Sequence, residues 1–259
     1  MNKAILALSL LLLELSFGLL FVCPAFCKDT AGSSRAGVNR LKVWTLDQKG
    51  HAGGNYTVNI CPGAVCIRAR DFDFYVVSRA PLWDVYAYNP KAKTYFKWKL
   101  EQYDGLRKDM IFASWMREHR WIQFAKSFDK RNKLSLVLYK VDTKSDTMQG
   151  ESIRAAVLSA AADIPVSASA LRVHCRTVKV PQVKELAIAG DIPRSLFGLR
   201  SNGAYFATCS AKPEIIESSR FDLPKGYSLV ASDTLVSGGA DTGFAELIPD
   251  LDVKRKGKH

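Results

Sequence analysis

Histidine and cysteine are scarce in this chain, four and six respectively among 259 residues. His51, His119, His174 and His259 stand in no zinc-ligand spacing, so the ligands for a metal centre are missing and none is expected. A Gly-rich phosphate loop, a nucleophile elbow and a kinase-type motif set are absent as well. No catalytic residue is therefore assigned, and the chain reads as a non-enzyme without a cofactor. Beyond residue 27 no hydrophobic run is long enough for a second membrane span, and no repeat or Pro/Gly-rich linker divides the remainder. Asp71-Phe72-Asp73 does set two carboxylates on one strand face, an arrangement used in general acid/base work. The neighbouring Arg68, Arg70 and Arg79 make ordinary ion pairs the simpler account.

What is present is a globular composition, 47% hydrophobic, 24% charged and 10% aromatic. Lys and Arg number 37 against 25 Asp and Glu, a formal net charge of +12 that favours anionic surroundings. Residues 1–27 carry Lys3 and then a Leu-rich run interrupted by Glu14, which reads as a secretory signal peptide or an N-terminal membrane anchor. Val22 before Cys23 and Phe26 before Cys27 disfavour a lipidated cysteine. The expectation is an exported protein, and export removes nucleic acid from its partners.

Four further cysteines fit that compartment. Cys61 and Cys66 bracket Pro62-Gly63-Ala64-Val65, and a four-residue hairpin loop would set them opposite one another within disulfide reach. Cys175 and Cys209 form the simplest second pair, although four cysteines allow three connectivities and a reduced, buried set is a further option. Asn55-Tyr56-Thr57 is a glycosylation sequon.

Residues 28–40 are small and polar, a flexible leader, and residues 249–259 form a basic tail expected to be disordered. Between them, 41–248 reads as one domain. Strands are expected over 41–47, 55–60, 64–70, 72–79, 82–88, 93–100, 121–128, 133–141, 193–200 and 203–211, from period-two alternation and turn residues. Helices are expected over 104–118, over 151–164 from Ile153, Ala156, Val157, Ala160, Ala161 and Ile164 at helical spacing, and over 167–178. Strands, a helical insertion and strands again predict the α+β class, an antiparallel sheet with helices on one face.

Aromatics are concentrated: 15 of the 24 beyond residue 27 lie between Phe72 and Phe128. They line a core under helices or an apolar cavity for acyl chains, and both arrangements satisfy the pattern. If the cavity exists, its wall falls to Phe96, Trp98 and Leu100 on one strand, Trp83 and Val85 on its neighbour, and Trp115. Lys93, Lys97 and Lys99 alternate with that wall and make a basic face. That face either keeps an edge strand soluble or docks on an anionic envelope surface or a protein partner.

The run from Val76 to Tyr95 (Val-Val-Ser-Arg-Ala-Pro-Leu-Trp-Asp-Val-Tyr-Ala-Tyr-Asn-Pro-Lys-Ala-Lys-Thr-Tyr) and the later Phe221-Asp222-Leu223-Pro224-Lys225-Gly226-Tyr227 resemble stretches of periplasmic lipoprotein-carrier-like and lipoprotein-sorting-like proteins. The likeness spans most of residues 41–232. It implies a strongly curved antiparallel half-barrel whose concave face is covered by helices and holds lipid or the acyl chains of a lipoprotein. The implied location is the periplasm, free or anchored to a membrane facing it. The cysteine pairs and the basic tail have no counterpart in that resemblance.

Overall fold

The computed structural model describes residues 39–50, 54–106, 119–142, 156–191 and 206–236, all within the unit Val38–His259. The signal-like segment 1–27, most of the leader, Trp115 with 107–118, the strand expected over 193–200 and the tail 249–259 lie outside the described residues. The first strand, β1 (Arg40–Gly50), is followed by β2 (Gly54–Cys61), β3 (Ala64–Ala69), β4 (Phe74–Arg79), β5 (Val85–Asn89) and β6 (Thr94–Trp98). Then come β7 (Trp121–Asp129), β8 (Leu134–Val141), β9 (Val157–Ala161), helix α1 (Ala168–Val178), β10 (Leu186–Asp191), β11 (Phe206–Glu217) and β12 (Ser228–Leu229).

All twelve strands belong to one open sheet in the order β12-β6-β5-β4-β3-β2-β1-β11-β10-β9-β8-β7. Every pairing is antiparallel except that of β12 with β6. Register follows the alternation. Tyr56, Val58 and Ile60 of β2 face Ala69, Ile67 and Val65 of β3, so both strands send the same parity into the core. One residue of slippage would turn that whole apolar set outward.

The sheet has a large inner and a smaller outer core. The inner one runs from Trp98 on β6 through Leu46 on β1 and Phe206 on β11 to Val137 and Tyr139 on β8. Helix α1 packs against β2, β3 and β4 and contributes Leu171, Val173 and Val178. Ser167 caps its N-terminus by accepting from the Ala170 amide at 3.2 Å, and Lys179 ends it in the left-handed region at φ 60°. The outer core holds Val43, Cys61, Ala64, Cys66, Val77 and Tyr88. It is covered by the segment after β11, whose 3-10 turn Ser218–Phe221 buries Phe221 and whose Leu223 and Tyr227 lie against the same residues. Tyr88 meets Tyr227 edge-on at 5.5 Å and stacks on Tyr75 at 5.0 Å.

Three expectations are corrected. The helix predicted over 151–164 is, over Val157–Ala161, strand β9 between β8 and β10. Its Leu158, Ala160 and Ala161 are buried; an interior strand reads as a short apolar run, in which helical spacing arises by coincidence. The loop between β2 and β3 is the two-residue Pro62–Gly63 rather than four residues, so Cys61 opposes Ala64 and Cys66 opposes Asn59. The expected Cys61–Cys66 and Cys175–Cys209 bridges are not made: all four are free thiols. Of the helices expected over one face of the sheet, the described residues hold α1 over three strands, while 107–118 of the helix expected over 104–118 lie outside them.

Strand β11 is longer than the predicted 203–211 and carries Pro213 opposite Trp44 of β1. A proline there is tolerated because β10 pairs with β11 only at Phe206 and Ala207, leaving the Pro213 side of the strand without a ladder partner among the described residues. Cys209 is the extra residue of a bulge, since Asp47 faces Ser210 while the next residue, Gln48, faces Thr208.

Candidate functional site

The alternation across β5 and β6 places the predicted wall. Val85 faces Trp98 and Ala87 faces Phe96, all on the inner side. Trp98 is 8% exposed and Val85 fully buried, whereas Trp83, Phe96 and Leu100 are half-buried side chains packed at the margin of the same core. Phe96 meets Trp98 at 4.6 Å between ring centres, and Trp98 meets Tyr103 at 5.3 Å. Five of the six predicted wall residues are thus brought together, and Trp115 lies outside the described residues. Trp83 sits in the β4–β5 turn with φ 55°, a left-handed conformation that is strained for a bulky side chain.

This wall is held against α1 by the loop that follows β6. The Tyr103 hydroxyl lies 2.8 Å from Thr177 Oγ1, both buried. Arg172 donates to the Glu101 carbonyl at 3.1 Å, the Arg176 guanidinium donates to the Tyr103 carbonyl, and Lys179 Nζ reaches the Asp104 carbonyl at 3.4 Å. A loop whose carbonyls are taken by three cations of one helix is a fixed part of the wall. Sequence reasoning had no hold on this clamp, because its partners lie more than 70 residues apart.

The basic face has the expected parity but a different charge state. Asp84, 5% exposed at its side chain, receives Lys97 at 2.6 Å and Lys99 at 2.9 Å, and Lys97 also lies over the Tyr86 ring at 5.2 Å. Two of the three predicted cations therefore share one carboxylate. Lys93 is exposed in the turn between β5 and β6 at φ 50°. The Lys97 and Lys99 ammonium groups hold the Asp84 carboxyl below its ordinary value, and Asp84 in turn raises Lys97. A carboxyl with a depressed folded-state pKa stabilises the fold above about pH 4 and loses that contribution as pH falls through the lowered value. Asp84→Asn is accordingly expected to flatten the acid limb: its urea midpoint falls less between pH 5 and pH 2.5 than that of the wild type. Parallel acid limbs would refute the assignment.

The other chemistry-bearing residues do not converge. The Asp71 carboxylate accepts from the Asn55 backbone amide at 2.8 Å and from the side-chain amide at 3.1 and 3.2 Å, which also occupies the asparagine of the sequon. Asp73 pairs with Lys91. His174 is fully buried on α1, far along the chain from both, with Nε2 3.0 Å from Gln48 Oε1. Burial pushes the Cys66 and Cys175 thiols up to about 12, away from thiolate reactivity. Gln48 was missed, yet it carried a signal: it is the polar residue on the parity of Trp44 and Leu46 in β1. Its Nε2 also donates to Thr208 at 3.2 Å.

A separate cleft of about 430 Å³ opens on the outer side between the β4–β5 turn and the segment after β11. Arg79 crosses it to Asp222 at 2.7 Å, and Leu82 stands 76% exposed beside it. Among the described residues no group of three or more His, Cys, Asp or Glu side chains is placed to hold a metal ion. Among them, too, no helix is long and apolar enough to cross a membrane.

No protein-family model matches the chain, and no curated protein matches it. Among solved structures it is similar to an uncharacterized conserved protein from Thermus thermophilus. That likeness has 6% sequence identity and a TM-score of 0.31, over 74% of this chain and 90% of the other.

Proposed function

We propose that this protein is a non-enzymatic, exported binder of lipid or lipoprotein acyl chains, which it shelters against the inner face of its sheet in the manner of a half-barrel. The observation that carries the reading is the partly exposed apolar margin of the inner core beside β5 and β6. Twelve strands at about 4.8 Å spacing make a sheet roughly 50 Å wide. Its inner face is apolar and buried from β6 to β8, and among the described residues α1, about 10 Å across, packs on β2 to β4. The half-buried Trp83, Phe96 and Leu100 are where an acyl chain would add to the core. Each methylene it buried would contribute about 0.8 kcal/mol, offset by ordering of the chain.

Mass spectrometry of the protein purified without detergent should find co-purifying lipid, and the delipidated protein should take up a fluorescent fatty acid. Phe96→Ala and Leu100→Ala should each weaken that uptake about tenfold, the equivalent of roughly two buried methylenes. A lipid-free preparation that also ignores the fluorescent probe would remove the proposal.

A further inference from the structure

The far edge of the sheet shows a second surface. Among the described residues strand β7 is the last of the sheet and pairs with β8 alone, through eight of its nine residues, with Phe124 the extra residue of a bulge. A long free edge invites pairing with other chains, and proteins ordinarily blunt it with charge. Lys126 on β7 fits that use, but Phe124 and Phe128 on the same strand do not, being 46% and 57% exposed. Around them stand Lys126, Lys130, Arg131, Lys133 and Lys140, all exposed, with the Lys140 ammonium 5.6 Å from the centre of the Phe124 ring.

The acidic residue of the hairpin tip does not oppose these cations outward. Asp129 is turned into the tip, accepting from the Arg131 and Asn132 amides at 2.9 and 3.1 Å and from the Asn132 side chain at 2.7 Å. Asn132 Oδ1 in turn accepts from the Ala211 amide of β11 at 2.9 Å, which ties the tip to the body of the sheet. The result is a fixed edge with Phe124 beside Lys140 on one side of the bulge and Phe128 on the parity of Lys126 on the other, and the exposed charges around them are of one sign.

We propose that the β7–β8 hairpin docks this protein on an anionic lipid bilayer. Rings at headgroup depth with Lys and Arg stems reaching the phosphates are the chemistry that such a surface rewards. The outer edge of β7, without a ladder partner among the described residues, keeps the contact at the hydrated headgroup layer, because in hydrocarbon its backbone groups would lack partners. Charge complementarity selects the lipid surface over a second copy of the chain, whose own hairpin would present the same five cations.

The test is co-sedimentation of the full chain with vesicles of phosphatidylcholine alone and of phosphatidylcholine with phosphatidylglycerol at about 7:3. Binding is expected to the anionic vesicles and to fall steeply with added salt. Lys130→Glu/Arg131→Glu/Lys133→Glu should weaken it about tenfold or more, and Phe124→Ser/Phe128→Ser should weaken it at unchanged net charge. The charge-matched Lys42→Glu/Lys49→Glu/Lys225→Glu, away from the hairpin, should change it by less than about threefold. Equal loss in the two triple variants, equal binding to both vesicle types, or edge-to-edge dimers in sedimentation velocity would each overturn the proposal. Fatty-acid uptake should be unchanged in the hairpin variants, so this reading and the acyl-binding one fail separately.

Discussion

Gly105→Ala should destabilise the fold by about 3–5 kcal/mol, lowering the urea midpoint by about 1–2 M. Two independent effects act at this position. The residue sits at φ +85°, where a side chain costs about 1–2 kcal/mol. A Cβ there would also stand 2.2 Å from the Arg176 carbonyl oxygen and 2.6 Å from Lys179 Nζ. The lysine end can swing away, but the backbone oxygen belongs to the last turn of α1, so the loop would have to lift. Lifting it separates Tyr103 from Thr177 and uncovers Trp98 beneath, which accounts for the larger part of the cost. Gly63→Ala provides the contrast, since its Cβ would meet nothing within 4 Å, and a change within about 0.5 kcal/mol is expected there. Equilibrium unfolding of the two variants side by side decides the matter. A Gly105→Ala protein as stable as the wild type would mean that the loop is not seated on the helix.

The strands were legible because most of them have one apolar parity. Tyr56, Val58 and Ile60, or Phe96 and Trp98 against Lys97, announce both the strand and its buried side. Helix α1 was legible for the same reason at the other period, with Ser167 marking its start. Strand β9 was not, because a strand enclosed on both edges and flanked by small residues loses the alternation that names it. That Val85, Phe96 and Trp98 share the inner side of β5 and β6 follows directly from parity. What parity could not show is the partner of each group across the chain. Lys97 and Lys99 were visible as a basic face, but the Asp84 that neutralises them comes from a turn. It is brought beside them by the pairing of Val85 with Trp98. The Cys61–Cys66 bridge failed on one loop: two residues rather than four move Cys66 from opposite Cys61 to opposite Asn59. Sequence spacing carries no information on which of two hairpin geometries a Pro-Gly turn will take.

Acidification should expose the histidine buried in α1. His174 is enclosed by the inner core, and the side chains that meet its ring nitrogens are Gln48, an uncharged amide, and Cys175, whose thiol burial keeps protonated. Burial holds its pKa down at about 3, from an ordinary value near 6.5. The imidazole therefore stays neutral in the folded protein while the unfolded chain takes up a proton below about pH 6.5. With the unfolded state binding more protons, stability falls as pH falls, and the loss continues until the folded form also titrates near pH 3. Between pH 7.5 and 4.5 this one residue should cost about 3 kcal/mol. Unfolding in urea at these two pH values, for the wild type and for His174→Gln, isolates the effect from carboxylates common to both. The variant retains an amide able to meet Gln48 and carries no titrating group. Whatever its stability at pH 7.5, it should lose less on acidification than the wild type by about that amount. Equal losses in the two proteins would show that His174 meets water or a charge in the folded state. The inner core around α1 would then be open at the very place where the structure closes it.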